Sequence, residues 1–149
     1  MLRDDFDLRL TNELIETYLK IAYGIKPGCW LDAEKGLLQE NTLYPKLKQM
    51  INDGNINDAE DILYEYANPI NPDILKVGLF FYYDLNRMAD AELEAADFTR
   101  DEVKEGVQEL LKIYDQENFG LIYVLHAAKC RKLIINPAFL TCAFCTRAV

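Results

Sequence analysis

The sequence is poor in the residues that most catalytic and nucleotide-binding motifs require. It has one histidine, His126, and only 7 glycines in 149 residues. Neither GxGxxG nor GxxxxGK(S/T) occurs, so no glycine-rich loop is available to hold a nucleotide phosphate. A catalytic nucleophile would lack a second histidine to act as its base, and the apolar neighbours of His126 favour a structural role. We therefore expect a protein that is not an enzyme and has no cofactor.

Positive charge is scarce as well. The chain carries 16 basic and 25 acidic residues, which gives a formal net charge of -9. Such a surface repels nucleic acid and anionic lipid headgroups, whereas it suits a basic protein segment. A high net charge also serves solubility alone. We expect a protein or peptide partner, no nucleic acid and no membrane.

Long apolar runs and an export signal are both missing. The longest apolar stretch, residues 133–146, is shorter than the roughly 20 residues of a membrane span and is interrupted by Asn136 and Pro137. The first seven residues carry acids where a signal peptide would carry bases. We therefore predict a cytoplasmic protein whose four cysteines are reduced.

What the sequence does contain is the spacing of three to four residues between apolar positions that is typical of amphipathic helices. The first such stripe consists of Phe6, Leu10, Leu14, Tyr18 and Ile21, and it is widened by Leu8, Ile15, Leu19 and Ala22. Leu37 and Leu38 indicate a short helical turn, and a second helix is predicted from about Leu43 to Asp53. A third helix over residues 59–66 follows so closely that it must lie antiparallel to the second.

Signals for helix ends support this arrangement. Gly54 can adopt the left-handed conformation that ends a helix, and Asn57 with Glu60 resembles a capping box for the next one. Asn71 followed by Pro72 predicts the start of a strongly apolar, central helix. Its many apolar positions are too widely spread for a single face.

A second capping box begins the last clearly signalled helix. Thr99 and Glu102 have the required spacing, and Phe98 can pack against Val103 as a hydrophobic staple. The apolar stripe that follows contains Val103, Val107, Leu110, Leu111 and Tyr114. Between the central helix and this one, residues 89–97 are acidic and predict a short helix or extended turn anchored by Leu93.

The character of the chain changes after Glu117, which is its last acidic residue. Residues 1–117 have a formal charge of -13, and residues 118–149 have a charge of +4. We predict a single helical domain over residues 1–136, in which a basic helix over residues 119–133 packs against an acidic body. Residues 137–149 are then a C-terminal tail that is loosely ordered, or else is not part of the evolved domain.

The tail contains the only motif with metal or redox chemistry. Cys142 and Cys145 have the spacing of a thiol redox pair or of half a zinc site, which Cys130 and His126 could complete. A redox pair normally follows a strand, and no strand is predicted before this one. A thiol-redox or zinc-binding protein is therefore the alternative to the noncatalytic interpretation, and we predict no metal site.

A tyrosine-lined groove is the one binding site that the sequence suggests. Tyr82 and Asn86 lie one turn apart on the central helix, and Tyr64 on the preceding helix can approach them. The chain has nine tyrosines, more than a core requires. We predict that Tyr64, Tyr82 and Asn86 contribute to a peptide-binding groove, although tyrosines packed between helices would give the same pattern.

Two resemblances accompany these patterns. Gly54, Ala59 and Pro69 stand where a tetratricopeptide repeat has its turn glycine, its alanine at the helix crossing and its closing proline, whereas Leu47 departs from the small residue of that pattern. Residues 83–87 and 98–103, with the Gly54 turn, resemble a bacterial family of short all-helical proteins of unknown function, over most of residues 1–115. These resemblances imply a fold but no activity. We predict an all-α fold, an antiparallel, tetratricopeptide-like array of about five to seven helices that acts as a protein-interaction or regulatory module.

Overall fold

The computed structural model describes residues 2–26 and 28–114. Within that part the chain forms helices and no strands, which confirms the predicted all-α array of five to seven helices. The seven helices are α1 (Leu2–Tyr23), α2 (Trp30–Glu40), α3 (Leu43–Asn52), α4 (Ile56–Tyr66), α5 (Pro72–Asn86), α6 (Asp90–Ala95) and α7 (residues 100–114).

The central helix of the fold is α5, as predicted. It packs against α1, α3 and α4, and ten of its residues are buried. Asn71 caps its start, because the Asn71 side chain accepts a hydrogen bond from the backbone N–H of Asp73 at 3.1 Å, and Pro72 occupies the first turn. A helix buried on nearly every side explains why its apolar residues are not confined to one stripe.

The turn between α3 and α4 ends one helix and reverses the chain. Gly54 has φ of +82°, and its N–H donates to the carbonyl of Ile51. The N–H of Asn55 donates to the carbonyl of Met50 at 2.8 Å, which completes a Schellman motif. The predicted role of Gly54 is confirmed, and α3 packs against α4.

The predicted capping box of α4 is wrong. The helix begins at Ile56 with Asn55 in the N-cap position, and Asn55 makes no side-chain cap hydrogen bond. Asn57 instead donates to the carbonyl oxygen of Asp97 at 3.1 Å and so ties the start of α4 to the loop before α7. An earlier start places Ile56 inside the core, where it is fully buried, and this burial outweighs the local cap signal.

The predicted face of α1 is only partly correct. Ile15 and Leu19 are its fully buried apolar residues, whereas Phe6 and Leu10 are 56% and 48% exposed. Ile15 and Leu19 belong to the residues that widen the predicted stripe, so the buried face lies at the edge of that stripe and not at its centre. α1 packs one side against α5, and that side follows Ile15 and Leu19.

The segment before α3 forms a longer helix than the predicted turn. α2 spans 11 residues, begins at Trp30 and buries Leu37, while Trp30 and Ala33 pack against the core in part. Charged residues and Gly36 separate the apolar residues of α2. The sequence therefore does not reveal the full length of this helix. The short helix predicted within residues 89–97 is present as α6, with Leu93 buried.

The start of α7 matches the sequence prediction. The N–H of Thr99 donates to Glu102 Oε2 at 2.7 Å, and the N–H of Glu102 donates to Thr99 Oγ1 at 3.2 Å. Both partners of the predicted capping box are therefore satisfied. Phe98 and the whole predicted stripe of α7 are buried.

Within residues 2–26 and 28–114, no helix combines the length and apolar character needed to cross a bilayer. The predicted helix over residues 119–133, the tail over residues 137–149, His126 and three of the cysteines lie outside the described residues.

Candidate functional site

Tyr64 and Tyr82 lie together, as the sequence predicted. The Tyr82 hydroxyl donates to Glu60 Oε1 at 2.5 Å and lies 3.3 Å from the Tyr64 hydroxyl. Tyr64 in turn donates to the backbone carbonyl oxygen of Gly106 at 2.9 Å. The four residues come from three helices, so the network joins α4, α5 and α7.

The network arises from helix spacing and one small residue. Glu60 and Tyr64 stand one turn apart on α4, and their side chains therefore reach the same side. Gly106 lets α7 approach Tyr82 closely, because a β-carbon at this position would lie 2.5 Å from two ring carbons of Tyr82. Tyr82 is fully buried as a result, and Tyr64 is partly exposed.

Asn86 lies apart from the two tyrosines. Its Nδ2 donates to the carbonyl oxygen of Leu8 and to Asn12 Oδ1, both at 3.0 Å. Its own backbone carbonyl accepts from the Arg100 guanidinium at 2.9 Å. Asn86 is buried and joins α1, α5 and the start of α7. The structure thus brings together two of the three predicted site residues, and their role in binding stays a prediction.

A groove runs beside the tyrosine network between α4 and α7, with a volume of about 440 Å³. We call it the α4–α7 groove. Its lining residues are Glu60, Tyr64, Glu102, Glu105, Gly106, Glu109 and Ile113. Four of these seven residues are glutamates, and none is basic. The groove is therefore strongly negative.

Most of this negative charge is uncompensated by the described residues. Glu109 pairs with Lys112 at 2.6 Å on the exposed surface. In the part of the chain that the structure describes, Glu60, Glu102 and Glu105 form no ion pair with a base. The Glu102 carboxylate accepts hydrogen bonds from the N–H and the hydroxyl of Thr99 in the capping box. Three carboxylates thus face one groove without a described counter-ion.

The electrostatics of Glu60 reflect this crowding. Burial raises the pKa of the Glu60 carboxyl, and the nearby Glu102 and Asp61 raise it further, whereas the hydrogen bond from Tyr82 opposes the change. Burial also raises the pKa of Tyr64 and of Tyr82, so both tyrosines stay protonated and act as hydrogen-bond donors. A cation that entered the groove would favour the charged form of Glu60.

A second polar cluster joins α2, α3 and α5, and it was not predicted from the sequence. The Tyr44 hydroxyl lies 2.6 Å from Asp84 Oδ2 and 3.0 Å from Glu34 Oε1. Lys48 pairs with Glu34 and, at 3.3 Å, with Asp84. We call these four residues the Glu34–Asp84 cluster. Tyr44 and Lys48 are four residues apart on α3, but no spacing in the sequence links them to Glu34 or Asp84.

Lys48 offsets one of the two carboxylate charges of the Glu34–Asp84 cluster. Burial raises the pKa of Asp84, against the hydrogen bond from Tyr44 and the charge of Lys48. Burial alone would also raise the pKa of Glu34, but the hydrogen bonds from Lys48 and Tyr44 outweigh it and hold that pKa below its ordinary value. A cleft of about 620 Å³ borders the cluster and includes Lys48, Asp84 and Arg87. Arg87 adds a second positive charge there, 5.6 Å above the Tyr83 ring.

Metal-binding chemistry has no candidate in the described part of the chain. Among residues 2–26 and 28–114, no three His, Cys, Asp or Glu side chains gather as a metal site would require. Cys29 is exposed and free. Cys130, Cys142, Cys145 and His126, on which the zinc alternative depends, lie beyond this part.

Comparison with known proteins identifies the family. Residues 1–115 match a family of unknown function, DUF6483, and the chain belongs to that family. The resemblance seen in the sequence to a family of unknown function over most of residues 1–115 is thereby confirmed. No curated protein and no solved structure matches the chain.

Proposed function

We propose that this member of DUF6483 is a noncatalytic protein-interaction module that binds a basic segment of a partner protein in the α4–α7 groove. The observation that carries the proposal is the set of three carboxylates without a described counter-ion around Tyr64. A lysine or arginine side chain placed there would neutralise charge that the fold leaves unbalanced. Tyr64 adds an aromatic surface, on which a guanidinium can stack.

The larger cleft beside the Glu34–Asp84 cluster fits this role less well. Lys48 already pairs with both carboxylates of the cluster. The lining of that cleft contains Lys48 and Arg87 as well as Asp84 and Glu92. A basic segment would meet two positive charges there, whereas the α4–α7 groove presents none.

The sequence alone supports the remaining parts of the proposed function. The likeness of the α3–α4 pair to a tetratricopeptide repeat supports an interaction role, and Ala59 is fully buried in that pair. Cytoplasmic location and bacterial origin stay predictions. The alternative function, in thiol-redox or zinc chemistry, depends on residues that the structure does not describe.

The proposal can be tested with a fluorescein-labelled hexa-arginine peptide as the probe. The variant Glu60→Gln/Glu105→Gln removes two charges from the groove, and the glutamine introduced in α4 retains an oxygen that accepts the hydrogen bond from Tyr82. We expect its dissociation constant to rise by about tenfold or more relative to the unchanged protein, measured by fluorescence anisotropy.

The matched control removes two charges elsewhere. Glu40 and Glu94 are exposed on α2 and α6, outside the groove. The variant Glu40→Gln/Glu94→Gln should bind the probe nearly as tightly as the unchanged protein. An equal loss of affinity in both variants would show general attraction to an acidic protein, and it would refute a specific groove. Failure of the unchanged protein to bind hexa-arginine at physiological ionic strength would refute it as well.

A further inference from the structure

An uncovered apolar face on α1 forms one side of a second groove, on the opposite side of α7. Phe6 and Leu10 stand one turn apart on α1 and are 56% and 48% exposed, and Leu14 follows one turn later. We call the space between this face and α7 the α1–α7 groove. It has a volume of about 310 Å³ and is lined by Leu10, Thr11, Glu13, Leu14, Thr17, Lys104 and Gln108.

We propose that residues 119–133 of this chain occupy the α1–α7 groove, as a helix antiparallel to α1 and α7. This site is independent of the α4–α7 groove and of the proposed function. The proposal extends the sequence expectation that a basic helix packs on an acidic body, because it names the surface and the direction.

The course of the chain favours this groove. α1 and α7 run in the same direction. Lys104 pairs with Asp7 near the start of both helices, at 3.5 Å. At their other ends, Tyr23 and Tyr114 donate to the neighbouring carbonyl oxygens of Pro72 and Asn71. The chain therefore leaves Tyr114 at one end of the groove and needs only a short reversal to return along it.

Length and register agree with this return. A helix of 15 residues is about 22 Å long, which equals the length of α1 from Asp7 to Ile21. If residue 119 starts level with Ile21, then Cys130 comes level with Leu10. The apolar residues Leu121, Ile122 and Leu125 then lie along the second half of α1.

The charges of α1 are compatible with the same direction. In this register the bases Lys129, Arg131 and Lys132 come level with the first half of α1. Asp5 lies in that half and Glu13, which lines the groove, lies just beyond it, while Asp7 already pairs with Lys104 and Arg9 adds a positive charge. The apolar part of the segment would find no comparable apolar surface in the α4–α7 groove, where four of seven lining residues are glutamates.

The register predicts a crosslink that uses a native cysteine. In the full chain, Cys29, Cys142 and Cys145 are changed to serine, and Cys130 is retained. Leu10→Cys is then added, and the protein is treated with bismaleimidoethane. We expect an intramolecular link between residues 10 and 130, identified in the monomer by peptide mass spectrometry, with a yield several-fold above that of the control.

The control places the second cysteine on an exposed position outside both grooves, as Glu65→Cys on α4. A third variant, Glu105→Cys, reports on the α4–α7 groove. Equal yields for Leu10→Cys and Glu65→Cys would show that the segment is not docked. A preference for Glu105→Cys would place it in the acidic groove, and a link found only in dimers would show that a second copy covers α1. Each of these results overturns the proposal. Circular dichroism of each variant verifies that the helices are retained, and Glu13→Cys, which lies within one turn of Leu10 and lines the same groove, replaces Leu10→Cys if that variant fails to fold.

Discussion

The ring of Tyr82 on α5 packs against the α-carbon of Gly106 on α7, in the space where any other residue would carry a β-carbon. The contact lets α7 lie close enough for the Gly106 carbonyl oxygen to accept the hydrogen bond from Tyr64. One glycine therefore determines both the packing of α7 and the wall of the α4–α7 groove.

Replacing Gly106 with alanine should therefore destabilise the protein. Within a helix this substitution normally stabilises by roughly 0.5–1 kcal/mol. Here the added methyl group would overlap the Tyr82 ring, and such overpacking costs about 1–3 kcal/mol. We expect a net loss in chemical denaturation monitored by circular dichroism.

The matched control for this test is Gly36→Ala. Gly36 also lies within a helix, but no atom stands within 4 Å of the position where its β-carbon would be. Gly36→Ala should leave stability unchanged or raise it by up to about 1 kcal/mol. If Gly106→Ala stabilises the protein as much as Gly36→Ala, the close contact between α5 and α7 is wrong.

Thr99→Ala should destabilise the protein by about 1 kcal/mol, because it removes the hydroxyl that caps α7. Thr42 provides the control, since it occupies the N-cap position of α3 without a side-chain cap hydrogen bond. Asn41 accepts the hydrogen bonds of Leu43 and Tyr44 instead. Thermal melts that show equal losses for Thr99→Ala and Thr42→Ala would contradict the capping role of Thr99.

The features that could be predicted from the sequence are local ones. The caps at Asn71 and Thr99 and the turn at Gly54 each depend on residues within five positions of one another, and the structure confirms them. The distant contacts could not be predicted in the same way. Tyr44 and Asp84 are 40 positions apart, and only the packing of α3 on α5 brings them together.

The candidate site also combines contacts that the sequence predicts with contacts that it does not. The approach of Tyr64 to Tyr82 follows from two neighbouring helices and was predictable. The sequence assigned Glu60 to a cap, whereas its carboxylate accepts a hydrogen bond from buried Tyr82. Asn86 has the right spacing from Tyr82, but the rotation of α5 turns it toward α1. That rotation depends on every helix packed against α5.

Lys48→Met should destabilise the protein by about 1–3 kcal/mol, because Glu34 and Asp84 would lose their shared positive charge in a partly buried site. Lys46 is exposed on the same helix, and Lys46→Met is the control. Chemical denaturation at neutral pH measures both variants. Equal small effects would show that the Glu34–Asp84 cluster contributes nothing beyond a surface ion pair.

Glu60→Gln should stabilise the protein at neutral pH, and this gain should disappear on acidification. Burial raises the pKa of Glu60 above its ordinary value of 4.5, so the folded state binds the proton more tightly than the unfolded state. Folding is then favoured below pH 4.5, and this contribution is lost as the pH rises through the folded-state pKa. A glutamine side chain does not titrate, so the stability difference between the two proteins should grow over that pH range. A difference that is constant with pH would contradict the raised pKa.

Removing residues 137–149 should leave a soluble, helical protein with a cooperative melt, whereas removing residues 118–149 should lower its stability. The longer deletion takes away Leu121, Ile122, Val124 and Leu125, and burying each such side chain contributes roughly 1.5–3 kcal/mol. It would also remove the segment that we propose covers Phe6 and Leu10, which are both exposed in the described part of the chain. The bases of the segment contribute less, since an exposed ion pair is worth about 0–1 kcal/mol.

Thermal melts of the two truncated proteins and the full chain give the comparison. If removal of residues 137–149 alone abolishes the cooperative melt, those residues belong to the core, and the domain boundary at residue 136 is wrong.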